Sequence, residues 1–247
     1  MQGAMPRASD PESRRFAVLI DGDNAQPRLL AAMMEEVGRH GSPTVRRIYG
    51  DWASGRLNGW KDDLHYHAFQ AVQQHSFARG KNSTDGRLII EAMDLLHTAP
   101  IDAFCIISSD SDYAGLAKRL RESGKFVLGI GERKTPDPFV RACDQFTFTD
   151  LLVKQGRKER EKDGGDGKKR PRDRALRELL IEGAEAMERE DGYANLGRIA
   201  EFLQKKDPGF DPRSYGRSKV SQLFREFPET FEFDPDDPNY VRILPEE

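Results

Sequence analysis

The chain has 247 residues, 33% of them charged, with a formal net charge of -3. That length suits one large domain or two ordinary ones. The charge balance excludes a uniformly basic nucleic-acid binder, and no apolar run approaches the roughly 20 residues that a membrane span needs. Met1 to Arg14 is polar and lacks the apolar core of a secretory signal, so it is expected to be a floppy tail. Cys105 and Cys143 have no paired spacing, which points to reduced thiols and a cytoplasmic protein.

In chain order, Phe16 to Ile20 is a short apolar run that reads as a buried strand, and it stops at Asp21-Gly22-Asp23-Asn24. Ala25 to His40 has apolar residues at helical spacing and glycines that stop it. Val45 to Tyr49 is a second strand, Leu57 to Leu64 a polar helix, and Ala68 to Val72 a weaker strand. Phe77 to Thr84 reads as a loop carrying Lys81 and Asn82. Asp85 to His97 is a helix with Leu88, Ile89, Met93, Leu95 and Leu96 on its apolar face. Ala103 to Ile107 is a buried strand running into Ser108-Ser109-Asp110-Ser111-Asp112. Then come a helix from Tyr113 to Glu122, a strand from Phe126 to Ile130, a short helix from Phe139 to Cys143 and a strand from Gln145 to Thr149. Strands alternating with helices imply βαβ units, hence an α/β domain over residues 15–153 with a mostly parallel sheet covered on both faces.

Lys154 to Arg172 holds nine basic residues against four acidic ones and no apolar residue, and reads as a flexible basic linker over 154–172. Residues 173–247 form a second, smaller domain. Helices are expected at Arg174–Arg189, Ala194–Lys205 and Ser214–Phe227, the last capped by Ser214. Thr230–Phe233 and Tyr240–Leu244 form a hairpin. Three helices followed by a hairpin describe a winged helix-turn-helix.

The carboxylates gather where strands stop or helices start. Asp21 and Asp23 follow the first strand, Asp110 and Asp112 the fourth, and Asp85 opens a helix. In a parallel sheet these ends share one edge, the edge at which such folds bind ligands. Ionised carboxylates in one cleft repel each other unless a cation joins them, and Mg²⁺ and Mn²⁺ prefer oxygen ligands. Two such ions roughly 3.5–4 Å apart stabilise both the attacking and the leaving oxygen of a phosphodiester. Asp23 reads as an outer ligand or cap. Asn24 is placed to orient a carboxylate or a phosphate, and Lys81 to neutralise phosphate charge. Ser108 and Ser109 are placed to donate to phosphate at a helix start.

The segments I-D-G-D-N (20–24), G-K-N-S-T-D (80–85), A-M-D-L-L (92–96) and S-S-D-S-D-Y (108–113) resemble the NYN domain, a branch of the PIN-like nucleases. D-P-G-F-D-P-R-S-Y-G (207–216) and K-V-S-Q-L-F (219–224) resemble an OST-HTH/LOTUS winged helix. The resemblance implies a PIN-like α/β/α sandwich and a Mg²⁺- or Mn²⁺-dependent ribonuclease whose acidic site is Asp21, Asp85, Asp110 and Asp112, with Asn24 as polar companion. It also implies a C-terminal module for RNA or a protein partner, its Ser214–Phe227 helix presenting Arg213, Arg217, Lys219 and Arg225.

Two other readings compete with this one. The first is a catalytically inactive RNA-binding adaptor. The second is a phosphatase that uses Asp21-Gly-Asp23 in a D-x-D motif, but Ala25 stands where that chemistry wants Thr or Val, and Asp85 has no place in it.

Overall fold

The computed structural model describes residues 14–74, 83–157 and 169–245. They divide into two compact units, Met1–Gly156 and Arg157–Glu247.

The first unit is built on β1 (Arg15–Asp21). It continues through α1 (Leu30–Gly38), β2 (Ser42–Gly50), α2 (Lys61–Tyr66), β3 (Gln70–Gln73), α3 (Ser83–Thr98) and β4 (Ala103–Ile107). After these come α4 (Ala114–Glu122), β5 (Phe126–Gly131), α5 (Asp137–Ala142), β6 (Gln145–Phe148) and α6 (Thr149–Arg157). All five strand pairings are parallel, in the order β3-β2-β1-β4-β5-β6. The order reverses between β1 and β4, and a crevice opens at the carboxyl ends of strands at such a switch point.

A strand sends alternate side chains to opposite faces. Ala17 and Leu19 of β1 join a core layer with Leu88, Ala92 and Leu95 of α3, Leu116 and Leu120 of α4, and Phe139 of α5. Phe16, Val18 and Ile20 join the opposite layer, with Leu30 and Met33 of α1, Trp60 and Leu152. Every residue from Phe16 to Ile20 is fully buried. Burying each large side chain contributes about 1.5–3 kcal/mol, which explains why a doubly covered strand reads as an unbroken apolar run.

Elements and expected boundaries differ in three instructive places. The segment expected to be strand through Thr149 and linker from Lys154 instead carries α6 across both, because Leu151 and Leu152 are buried and anchor it. At the other end of the expected linker, α7 (Lys169–Ala186) already contains residues 169–172. The middle, 158–168, lies outside the described residues. The entry to α1 is a short 3-10 turn, Pro27–Leu29, rather than regular helix, with proline at its first position.

The second unit comprises α7, β7 (Ala194–Asn195), α8 (Leu196–Lys206), α9 (Val220–Phe224), β8 (Phe231–Phe233) and β9 (Tyr240–Ile243). Its antiparallel sheet has the order β7-β9-β8. Leu176 and Leu180 of α7, Ile199 and Leu203 of α8, Leu223 and Phe224 of α9 and Val241 of β9 form a separate core. The expected helix over Ser214–Phe227 is broken. Asp211, not Ser214, caps a single 3-10 turn, Pro212–Tyr215, by accepting from the Arg213 amide at 2.7 Å. Gly216 then takes a left-handed φ of 80°, which ends the turn, and Lys219 is extended. Only the five residues of α9 are α-helical.

Candidate active site at the carboxyl edge of the sheet

Register and pleat together assemble the site. β1 and β4 pair with Leu19 opposite Ile106 and Ile20 opposite Ile107, so the next residues, Asp21 and Ser108, face each other. Asp21 lies on the Ala17–Leu19 face and Ser108 on the Phe104–Ile106 face, which are the same face of the sheet. Both are buried.

The Asp21 carboxylate is held on both oxygens. Oδ2 accepts from Asn24 Nδ2 at 2.6 Å, Ser108 Oγ at 3.0 Å and the Tyr113 hydroxyl at 3.4 Å. Oδ1 accepts from the Asp23 amide at 3.2 Å. Donors on both oxygens fix the direction of the carboxylate. Asn24, expected as a substrate contact or carboxylate orienter, donates to the Asp21 carboxylate here, and the backbone amides of Asn24 and Ala25 both donate to the Asp21 carbonyl.

The turn Gly22–Asn24 is clamped from outside. The Gly22 amide donates to the Tyr49 carbonyl at 2.8 Å, and the Trp60 indole donates to the Gly22 carbonyl at 3.2 Å. A Cβ on Gly22 would stand 2.9 Å from that Tyr49 oxygen, so the approach needs glycine. Asp23 is exposed, with Arg56 at 3.9 Å.

Beyond β4, the Asp110 amide donates to Ser108 Oγ at 3.1 Å, and Asp110 Oδ1 accepts from the Asp112 amide at 3.0 Å, capping the Ser111–Tyr113 turn. Asp112 is exposed. Ser109 Oγ accepts from the Glu132 amide at 2.9 Å and so ties β4 to β5. Asn24, Ser108, Ser109 and Glu132 line a small recess at this edge together with Met33, Ile107 and Ile130. Asp51, at the end of β2, is turned away into a cap: its carboxylate accepts from Ala53 N at 3.2 Å and Gln73 Nε2 at 2.9 Å.

Asp85 falls in the first turn of α3. α3 packs on the same face as Asp21 and returns from the carboxyl edge toward β4, so its first turn lies at the Asp21 edge. The Asp85 side chain and Lys81 lie outside the described residues. Among the described residues no three or more of His, Cys, Asp and Glu come close enough to hold a metal ion. Asp21, Asp110 and Asp112 therefore do not complete such a site without a further ligand. The donor type does suit a hard divalent cation, being carboxylate oxygen throughout.

Three contributors escaped sequence reasoning: the Ser108 bridge, the Tyr113 hydroxyl and the Trp60 clamp. Ser108 and Tyr113 stand in the S-S-D-S-D-Y stretch, but their partner is 87 and 92 residues away.

In the second unit Arg217 is ion-paired with Glu226 and Lys219 is exposed. Arg213 is bound to Asp211 at 2.6 Å, and Arg225 lies over the Phe233 ring at 4.7 Å. The four cations therefore do not share one helix face.

The NYN domain model matches residues 15–152, which is more than half of the chain. The chain belongs to the NYN family. An OST-HTH/LOTUS domain model matches residues 168–239, so the NYN domain is followed by an OST-HTH domain. No curated protein matches the chain. Among solved structures, the crystal structure of a protein of unknown function from Vibrio parahaemolyticus is similar at 15% identity and a TM-score of 0.47, covering 57% of this chain and 95% of its own. Among the described residues no helix is long and apolar enough to cross a membrane.

Proposed function

We propose that the NYN domain is a metal-dependent ribonuclease that cuts RNA endonucleolytically with a metal-activated water. One observation carries the reading: Ser108 links the buried Asp21 carboxylate to the Asp110 turn at the switch point of the sheet. Asp21, Asp85, Asp110 and Asp112 would hold the Mg²⁺ or Mn²⁺ ion. Bound there, the ion supplies an acidified water and neutralises charge on the phosphate.

The chain's own groups do the positioning. Asn24 and Ser108 hold the Asp21 carboxylate by hydrogen bonds and fix its direction toward the crevice. Lys81 and Ser109 would contact the scissile phosphate, and the Ser109 hydroxyl, which accepts from the Glu132 amide, would donate its proton to it. The OST-HTH domain tethers RNA through the exposed Arg217 and Lys219, and the basic 154–172 run adds sequence-independent attraction to the backbone. A protein partner for the same domain is the other use open to it. Two buried free thiols support a reducing, cytoplasmic setting.

The test is incubation of end-labelled single-stranded RNA and DNA with Mn²⁺, beside Asp21→Asn and Asp110→Asn. Internal cuts in RNA that both variants lose are the expected result. Variants that cut as well as the wild type would remove the site assignment, and RNA binding without cleavage would make the chain an adaptor.

A further inference from the structure

A groove of about 940 Å³ runs between α4 and α5, outside the acidic site. One end is Ala114, which directly follows the Ser111–Tyr113 turn carrying Asp112. The other end is Gly124 to Phe126, at the opposite edge of the sheet. Its length is set by the nine residues of α4, roughly 14 Å at 1.5 Å per residue. Four cations line it, Lys118, Arg121, Lys125 and Arg141, against Glu122 and Asp144.

Two of these cations build the groove. Arg121 Nε donates to Asp144 Oδ1 at 2.9 Å, and its Nη1 donates to the carbonyls of Arg141 and Ala142, holding the end of α5. Lys125 Nζ donates to the Ile101 carbonyl at 2.6 Å. The other two, Lys118 and Arg141, are exposed, and among the described residues neither side chain makes a hydrogen bond or ion pair. Long cationic side chains facing each other across an open trough suit a polyanion passing along it. The Phe126 ring at the far end is already covered by Arg14 at 4.3 Å and packed by Phe16, so it is not free to stack a base.

We propose that the α4–α5 groove carries the sugar-phosphate backbone of single-stranded RNA between the acidic edge and the far edge of the sheet, through Lys118 and Arg141 and without reading sequence. The direction of travel rests on the nuclease reading above, but the binding does not.

The experiment measures the salt dependence of single-stranded RNA binding by the full chain without added metal. The double variant Lys118→Glu/Arg141→Glu is compared with Lys61→Glu, an exposed cation of α2 that belongs to the opposite face. Each lost phosphate contact lowers the slope of log affinity against log salt by about 0.7 for a single strand, so the double variant should lose about 1.4 and each single variant about half of that. The Lys61→Glu slope should match the wild type, and so should the unfolding midpoints of all variants. Contributions from the 154–172 run and the OST-HTH domain are common to every protein compared. A double-variant slope equal to that of wild type overturns the proposal. If the slope falls but no RNA is ever cut with Mn²⁺, the groove stands and the nuclease reading fails. If RNA is cut and the slope is unchanged, the groove fails alone.

Discussion

Asp21 and Ser108 face each other across β1 and β4, with the Ser108 hydroxyl 3.0 Å from Asp21 Oδ2 while it accepts the Asp110 amide at 3.1 Å. One hydroxyl thus holds a buried carboxylate and the turn that presents the next one. Ser108→Ala removes a donor from a buried charge and an acceptor from the Asp110 amide. The expected cost is about 1–3 kcal/mol of stability, read as a shift in denaturant midpoint. Cleavage with Mn²⁺ should fall further than stability explains, since Asp21 and the Asp110 turn would both lose direction. Ser108→Thr, which keeps the hydroxyl, should recover part of both. Alanine matching the wild type in activity would show that the bridge does not matter for the reaction.

Gly131 closes β5 beside the same serine. A Cβ there would meet the Ser108 carbonyl at 2.5 Å and Thr135 Oγ1 at 2.7 Å. Backbone cannot yield as a flexible side chain can, so Gly131→Ala should push the end of β4 away from β5. The expected penalty is about 1–3 kcal/mol, as for an overpacked core. Loss of cleavage at temperatures where circular dichroism still shows a folded chain would locate the damage at the β4 end. An unchanged melting curve would mean that the strand end moves freely.

How much of this was legible beforehand depends on whether the partner was local. The buried strands read correctly because a strand covered on both faces is apolar throughout, as Phe16–Ile20 and Ala103–Ile107 are. Asp21 and Asp110 could be placed at one edge from strand ends alone. The Ser108 bridge could not, because it exists only once β1 pairs with β4 at one register. The helix expected over Ser214–Phe227 failed on Gly216, whose left-handed φ is invisible to apolar spacing. Glu91 was missed for a different reason. It stands three residues after Leu88 on the buried side of α3, a position that spacing does expose, but its partners Arg47 and Tyr49 lie 44 and 42 residues away and no local pattern names them.

Glu91 is the hub that fastens α3 to β2. Its carboxylate accepts from Arg47 Nη1 at 2.7 Å, the Tyr49 hydroxyl at 2.9 Å and Arg87 Nε at 2.8 Å. Burial, reinforced by the Glu91 charge, pushes the Tyr49 hydroxyl far above its ordinary pKa, so it stays a donor at all physiological pH. Tyr49→Phe should cost about 1 kcal/mol, the net worth of one hydrogen bond. Glu91→Ala should cost more, because it strands the half-buried Arg47 guanidinium, whose Nε already lacks a partner. Because α3 carries Asp85 in its first turn, both variants should also lower cleavage, Glu91→Ala by the larger factor. Activity that is unaffected at equal folded fraction would separate this network from the site.

At the opposite edge, Arg15 and Asp102 pin the first residue of β1 to the approach of β4. Arg15 N and Nε both donate to Asp102 Oδ2, at 3.0 and 2.8 Å. The Arg15 hydrogen bond holds the Asp102 carboxyl below its usual range, with burial opposing it and the backbone donor and the charges of Arg15 and Lys125 adding to the depression. A carboxylate with a depressed folded pKa contributes stability above its unfolded pKa, about 4, and loses it as pH falls through the folded value. Asp102→Asn should therefore lower the unfolding midpoint at pH 7, where the wild type keeps its charge. The gap should close as pH drops below about 4 and the wild type loses its own advantage. The pair is partly exposed, so the gap should be small and should shrink in high salt. Thermal melts of both proteins from pH 7 to pH 3, at low and high salt, decide the matter. A gap that stays constant across that range would mean that the side chain acts through its backbone contact to Arg15 and not through its charge.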